Sequence, residues 1–279
     1  MHRPLNIAHR GGAGLMPENT LAAFADAIAR GCAPPHGRPA MEYGAELDVQ
    51  LSADGVPVVH HDFRLMRDVA RRNGVWLREL GPRIKDMTCA ELRTFDVGHP
   101  RPGSDYARRH PVLRAVDGQA VPTLEAVVAL AAAAPRPFTL MVELKCDDSE
   151  DSADPVMLGD ATYDVVQAAG FLDRAIFVGF DWHALFAVKA RDANAVCWFT
   201  TDKLSGDARA AIDIIAGAGA EGWFPCYLDA SPENVAHARA RGLKVGAWTV
   251  NDAEVMRRLS GLDAICTDRP DMLMDLQSP

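Results

Sequence analysis

Short apolar or β-branched runs alternate along this chain with longer stretches of helical period. That is the pattern of a parallel sheet whose strands are joined by crossover helices. Eight runs read as strands, near residues 5–8, 45–51, 138–144, 175–179, 195–199, 221–224, 243–248 and 263–266. Helical patterns fall between them at 20–30, 123–134, 161–169, 208–217, 231–241 and 252–259. Asn19 or Thr20 can cap the first of these helices, Ser231-Pro232-Glu233 can open the fifth, and Gly242 ends it well. Eight βα units in 279 residues predict an α/β protein, a TIM (β/α)8 barrel built as one domain over 1–279.

One stretch breaks the alternation. Residues 62–122 carry many charges and repeated turn signals, among them Asn73-Gly74, Gly81-Pro82, Pro102-Gly103 and Asp117-Gly118. An excursion of that length inside a barrel is either a lid that shapes the substrate site or a structural cover over one mouth. The pattern alone does not choose between them.

Polar residues interrupt the apolar runs where strands should end. Leu5-Asn6-Ile7-Ala8 leads straight into His9-Arg10-Gly11-Gly12, and Val58-Val59 leads into His60-His61-Asp62. The carboxyl ends of parallel barrel strands are where catalytic groups sit. Glu46 and Asp48 are two apart, so on a strand they share one face while Leu47 and Val49 take the other. The outer face packs on helices, which sends both acids into the barrel. Two unpaired inward carboxylates are expensive to bury, and a hard divalent cation such as Mg²⁺ or Ca²⁺ resolves that cost. Glu143 follows the same logic on another strand as a third ligand, and Lys145 shares its face and can meet a phosphate oxygen. Each acid alone could equally be half of an ion pair. His60 and His61 must face opposite ways, and local geometry does not say which enters the site.

Composition narrows the partners. The formal net charge of −9 argues against nucleic acid or an anionic membrane as a generic partner. No apolar run reaches membrane-spanning length. The six cysteines are scattered without a CxxC pair, and Met1-His2-Arg3-Pro4 leaves no room for a signal peptide before the first strand. A reduced, cytoplasmic protein is expected. Two histidines, three carboxylates, an arginine and a lysine suit metal-assisted phosphodiester hydrolysis, with one histidine as general base and the other as general acid. No serine-hydrolase elbow, Walker loop or dinucleotide turn is present.

Taken with their neighbours, these residues resemble the glycerophosphodiester phosphodiesterase family. The likeness rests on His9-Arg10-Gly11, Pro17-Glu18-Asn19-Thr20, Glu46-Leu47-Asp48-Val49, Asp54-Gly55-Val56-Pro57-Val58-Val59 and His61-Asp62. It continues through Pro122-Thr123-Leu124-Glu125, Glu143-Leu144-Lys145, Ala247-Trp248-Thr249-Val250-Asn251 and Thr267-Asp268-Arg269-Pro270, in family order over nearly the whole chain. The resemblance implies a TIM barrel with a small insertion subdomain after the second strand. It implies one divalent cation on Glu46, Asp48 and Glu143, with His9 and His61 as the acid/base pair, which selects His61 over His60. It implies phosphate contacts from Arg10 and Lys145 and a pocket lined by Trp248, with Phe180 as another apolar wall. The reaction implied is hydrolysis of a small-molecule glycerophosphodiester to sn-glycerol 3-phosphate and an alcohol such as choline or ethanolamine. A related barrel lysophospholipase D, or a phosphodiesterase that forms a cyclic phosphate, is the nearest alternative; a barrel that only binds is a more distant one. Two departures, the proline-rich stretch between Gly31 and Gly44 and the segment following His61-Asp62, lie near the expected mouth and bear on the choice of alcohol.

Overall fold

The computed structural model describes residues 3–32, 42–204 and 207–276. Its strands in chain order are β1 (Leu5–Ala8), β2 (Tyr43–Leu51), β3 (Pro57–Val59), β4 (Arg71–Arg72), β5 (Val75–Trp76) and β6 (Thr139–Leu144). They continue with β7 (Ala175–Gly179), β8 (Cys197–Thr201), β9 (Gly222–Pro225), β10 (Lys244–Ala247) and β11 (Ala264–Thr267). The helices are α1 (Leu21–Cys32), α2 (Cys89–Leu92), α3 (Asp105–Arg109), α4 (Leu124–Ala132) and α5 (Pro155–Ala168). After them come α6 (Trp182–Arg191), α7 (Arg209–Gly217), α8 (Pro232–Ala240), α9 (Ala253–Arg258) and α10 (Pro270–Leu276).

Strands β1, β11, β10, β9, β8, β7, β6 and β2 pair in that order, and β1 pairs again with β2, closing a parallel barrel. Side-chain alternation sorts the core into two shells. Leu47, Val49, Leu140, Val142 and Leu144 point outward into the cluster packed beneath the helices. Ile7, Met141, Val178, Trp198, Phe224 and Cys266 fill the barrel interior. Glu46 and Asp48 belong to the inward set, and the parallel register sets Asp48 directly beside Glu143. The barrel and its inward acids are therefore as the pattern predicts.

Several elements differ from the expectation. Val58-Val59 does not merely lead into the histidines: with Pro57 it forms β3, antiparallel to β2, so the insertion follows a hairpin rather than the second strand directly. Helices α6 and α10 were not anticipated, and α5 starts well before residue 161 because Asp154 caps it and Pro155 takes its first position. The stretch from Ala33 to Met41 lies outside the described residues. Cys89, Cys146, Cys197, Cys226 and Cys266 are buried and unpaired. Among the described residues no helix is long and apolar enough to cross a membrane.

The insertion has a core of its own, in which Leu65, Ala70, Ile84, Leu92 and Phe95 pack on Val58 and Val121. It leaves and rejoins the barrel at one place, where the Val59 N–H donates to the Pro122 carbonyl at 2.8 Å. Away from that junction it is tied to the loop after β6. Arg64 donates twice to Asp151, at 2.7 and 2.9 Å, and Lys85 donates to the Ser152 carbonyl at 2.9 Å.

Candidate active site

The chain turns sharply where β1 ends, at the carboxyl mouth of the barrel. Arg10 adopts a left-handed conformation (φ 51°), and Gly11 follows at φ 79°. A β-carbon on Gly11 would stand 2.8 Å from that of Ala23, so only glycine lets this turn press against α1. The turn aims the backbone N–H of Arg10 at Glu46 Oε2, 2.9 Å away. It also brings His9 Nδ1 within 2.6 Å of Asp268 Oδ1, just past the end of β11. A carboxylate can only accept, so the imidazole proton sits on Nδ1; Nε2 lies 3.8 Å from Glu46 Oε2.

Glu46, Asp48 and Glu143 each offer an oxygen, and these oxygens lie within 4.8 Å of one another in a buried group. Burial, together with repulsion from Asp48 and Glu143, pushes the Glu46 carboxyl well above the usual range. Burial acts the same way on Asp48, but His61, Arg10, Lys145 and the Asn19 amide outweigh it and hold that carboxyl well below its usual value. Asn19 donates to Asp48 Oδ2 at 2.7 Å, Arg10 Nε stands 3.4 Å from the same oxygen, and Lys145 Nζ is 2.9 Å from Glu143. Burial works against the Lys145 ammonium, yet Glu143 and Asp48 raise its pKa above the ordinary lysine value. Glu46 Oε1 is buried and meets no hydrogen-bond donor among the described residues. A set of hard oxygens with an orphaned carboxylate atom is a chemically fitting cradle for Mg²⁺ or Ca²⁺.

The histidine pair separates as extended geometry requires. His60 is buried, and burial lowers its pKa. His61 opens toward the mouth, with Nδ1 3.1 Å from Asp62 Oδ1. Across the mouth, Phe180 and Trp248 meet edge to face at 5.2 Å, and Lys145 Nζ lies 5.8 Å from the Phe180 ring centre.

Two cavities meet at His9, Arg10 and His61. The smaller, about 240 Å³, also borders Glu46, Glu143, Lys145, Phe180 and Trp248. The larger, about 490 Å³, runs toward the insertion. All nine site residues read from the sequence thus fall in one region, eight lining the smaller cavity and Asp48 buried beside the other acids. Three residues beyond those nine complete the site. Glu18 accepts from Arg10 Nη1 at 3.1 Å, and Tyr106 of the insertion donates to the other oxygen of Glu18 at 2.7 Å. Asp268 holds His9. The signal for Asp268 was available, since it follows β11 as His9 follows β1; nothing local marked Tyr106.

A family model described as the glycerophosphoryl diester phosphodiesterase family matches residues 9–272. The chain is 29% identical to a glycerophosphodiester phosphodiesterase of Caldanaerobacter subterraneus, over 98% of both chains. It is also similar to a candidate glycerophosphoryl diester phosphodiesterase from Silicibacter pomeroyi of known crystal structure. There the identity is 32% and the TM-score 0.88, covering 99% of this chain and 93% of that one. A phosphodiesterase from Oleispira antarctica, solved with the product sn-glycerol-3-phosphate, is 25% identical with a TM-score of 0.76, covering 98% and 96%.

Proposed function

The chain belongs to the glycerophosphoryl diester phosphodiesterase family and is thereby a phosphoric diester hydrolase; from that premise we propose that it cleaves small glycerophosphodiesters to sn-glycerol 3-phosphate and an alcohol by two-histidine acid/base catalysis beside one divalent cation. The observation that carries the reading is the buried trio Glu46, Asp48 and Glu143, with an unpartnered oxygen on Glu46, opening on the same cavity as His9 and His61.

Glu46, Asp48 and Glu143 would hold the cation. When bound, Mg²⁺ or Ca²⁺ draws charge from phosphate oxygens and lowers the pKa of a bound hydroxyl or water. Arg10 and Lys145 supply fixed positive charge at the same place, neutralising what develops on the phosphate as it is attacked. His9 and His61 each keep Nδ1 on a carboxylate, so each has Nε2 left for proton transfer. One takes a proton from the attacking group while the other gives one to the departing alkoxide. Phe180 and Trp248 form the apolar wall that fixes the substrate and limits water.

Release of glycerol 3-phosphate from glycerophosphocholine tests this directly. Turnover should vanish in EDTA and return with Mg²⁺ or Ca²⁺. Turnover that persists after exhaustive chelation would remove the cation from the reading.

A further inference from the structure

We propose that the larger cavity is the subsite for the alcohol arm of the diester, and that Arg109 makes it select arms carrying a second anionic group, a carboxylate or a phosphate. This rests on the reading of the site as a glycerophosphodiester hydrolase.

A phosphodiester has two ester arms, and two cavities share His9, Arg10 and His61 as their common border. A phosphorus held at that border sends one arm into each. The cavity of about 240 Å³ suits the arm that every substrate shares, the small glyceryl group. The cavity of about 490 Å³ suits the arm that varies, and its outer wall comes from the insertion, through Tyr106, Arg109 and His110.

This cavity is bordered by three carboxylates and two guanidiniums, which differ in whether they are paired. Its three acids are engaged: Glu18 by Arg10 and Tyr106, Asp62 by His61, and Asp268 by His9 and Asn251. His110 packs against Tyr106 with the ring centroids 4.6 Å apart and the planes tilted by 46°, and burial lowers its pKa, which disfavours its cation. Arg109 is exposed on the same wall and makes no ion pair among the described residues. An unpaired guanidinium beside a polar cavity binds a carboxylate or phosphate through two parallel hydrogen bonds and repels a quaternary ammonium.

Matched substrates read this out. Glycerophosphoserine is glycerophosphoethanolamine with one carboxylate added; glycerophosphoinositol 4-phosphate is glycerophosphoinositol with one phosphate added. For at least one pair, kcat/KM should favour the anionic member by about tenfold, and which pair responds identifies carboxylate or phosphate as the group recognised. Arg109→Gln should erase that ratio while leaving the less charged member within about twofold, and Arg109→Glu should invert it. A ratio near one in both pairs for the unaltered enzyme, or a ratio that Arg109→Gln leaves unchanged, overturns the subsite while the hydrolase stands. An equal loss on all four substrates would place Arg109 on the shared arm and also overturn it. Failure to cleave any of the four removes the underlying reading, and this proposal with it.

Discussion

Asp268 bonds His9 Nδ1 with one oxygen and the Asn251 amide with the other, each at 2.6 Å. Asn251 is fixed in turn, because its carbonyl accepts from Thr267 Oγ1 and from the Asp268 N–H. Asp268→Asn would let an amide donate to Nδ1 and favour the wrong tautomer, so kcat should fall at least tenfold with little change in KM. The same carboxyl gives an acid signature. Burial alone would raise its pKa, but the bonds from His9 and Asn251 win and hold it at about 2. A depressed acid adds stability above its unfolded value, near 4, and loses it as pH falls toward 2. Unfolding measured across that window should show a loss of about 2 kcal/mol that Asp268→Asn lacks. At this scale the acids of β2 and β6 were legible because strand alternation makes an inward carboxylate conspicuous. His61 needed the family resemblance to be told from His60, since neighbours on an extended segment look equivalent. The role of Asp268 is invisible locally, because the bond that gives it meaning spans 259 positions.

Elements were legible where one face is apolar and the other is not. All eight barrel strands lie where the period-two and continuous apolar runs put them, with ends shifted by one or two residues at some. Helix α6 escaped because apolar Phe186 stands on its exposed side while Lys189 is partly buried, which blurs the amphipathic period although the Asp181 cap was present. Helix α10 escaped although Pro270 marked its first turn. The insertion could be bounded from its turn residues, but not folded: its order depends on a small separate core and on tethers to the loop after β6. The Arg64–Asp151 tether is about one-third exposed on both sides, so its global contribution is small. Arg64→Leu should therefore leave the unfolding midpoint nearly unchanged, while limited proteolysis and hydrogen exchange between residues 62 and 122 accelerate. Equal protection in the two proteins would show that the insertion's own core suffices to order it.

Across the whole molecule, a chain carrying −9 gathers positive groups where an anionic diester would arrive, with Arg10 and Lys145 among the acids and Arg109 at the rim. The far side of that mouth is closed by packing. Trp198 lies inside the barrel against Gly222, where a β-carbon would come within 2.5 Å of the indole. Gly222→Val should therefore cost about 1–3 kcal/mol in denaturant unfolding through overpacking, and a neutral result would mean that the indole can move aside. The junction at Val59 and Pro122 bears on descent rather than catalysis. Because the barrel itself holds the two ends of the insertion together, the span between them can lengthen, shorten or be exchanged at little entropic cost, about 0.6 kcal/mol for each doubling. Exchanges confined to the stretch between Asp62 and Pro122 can thus swap one mouthpiece for another and reshape the larger cavity, while the acids, His9 and His61 stay where they are.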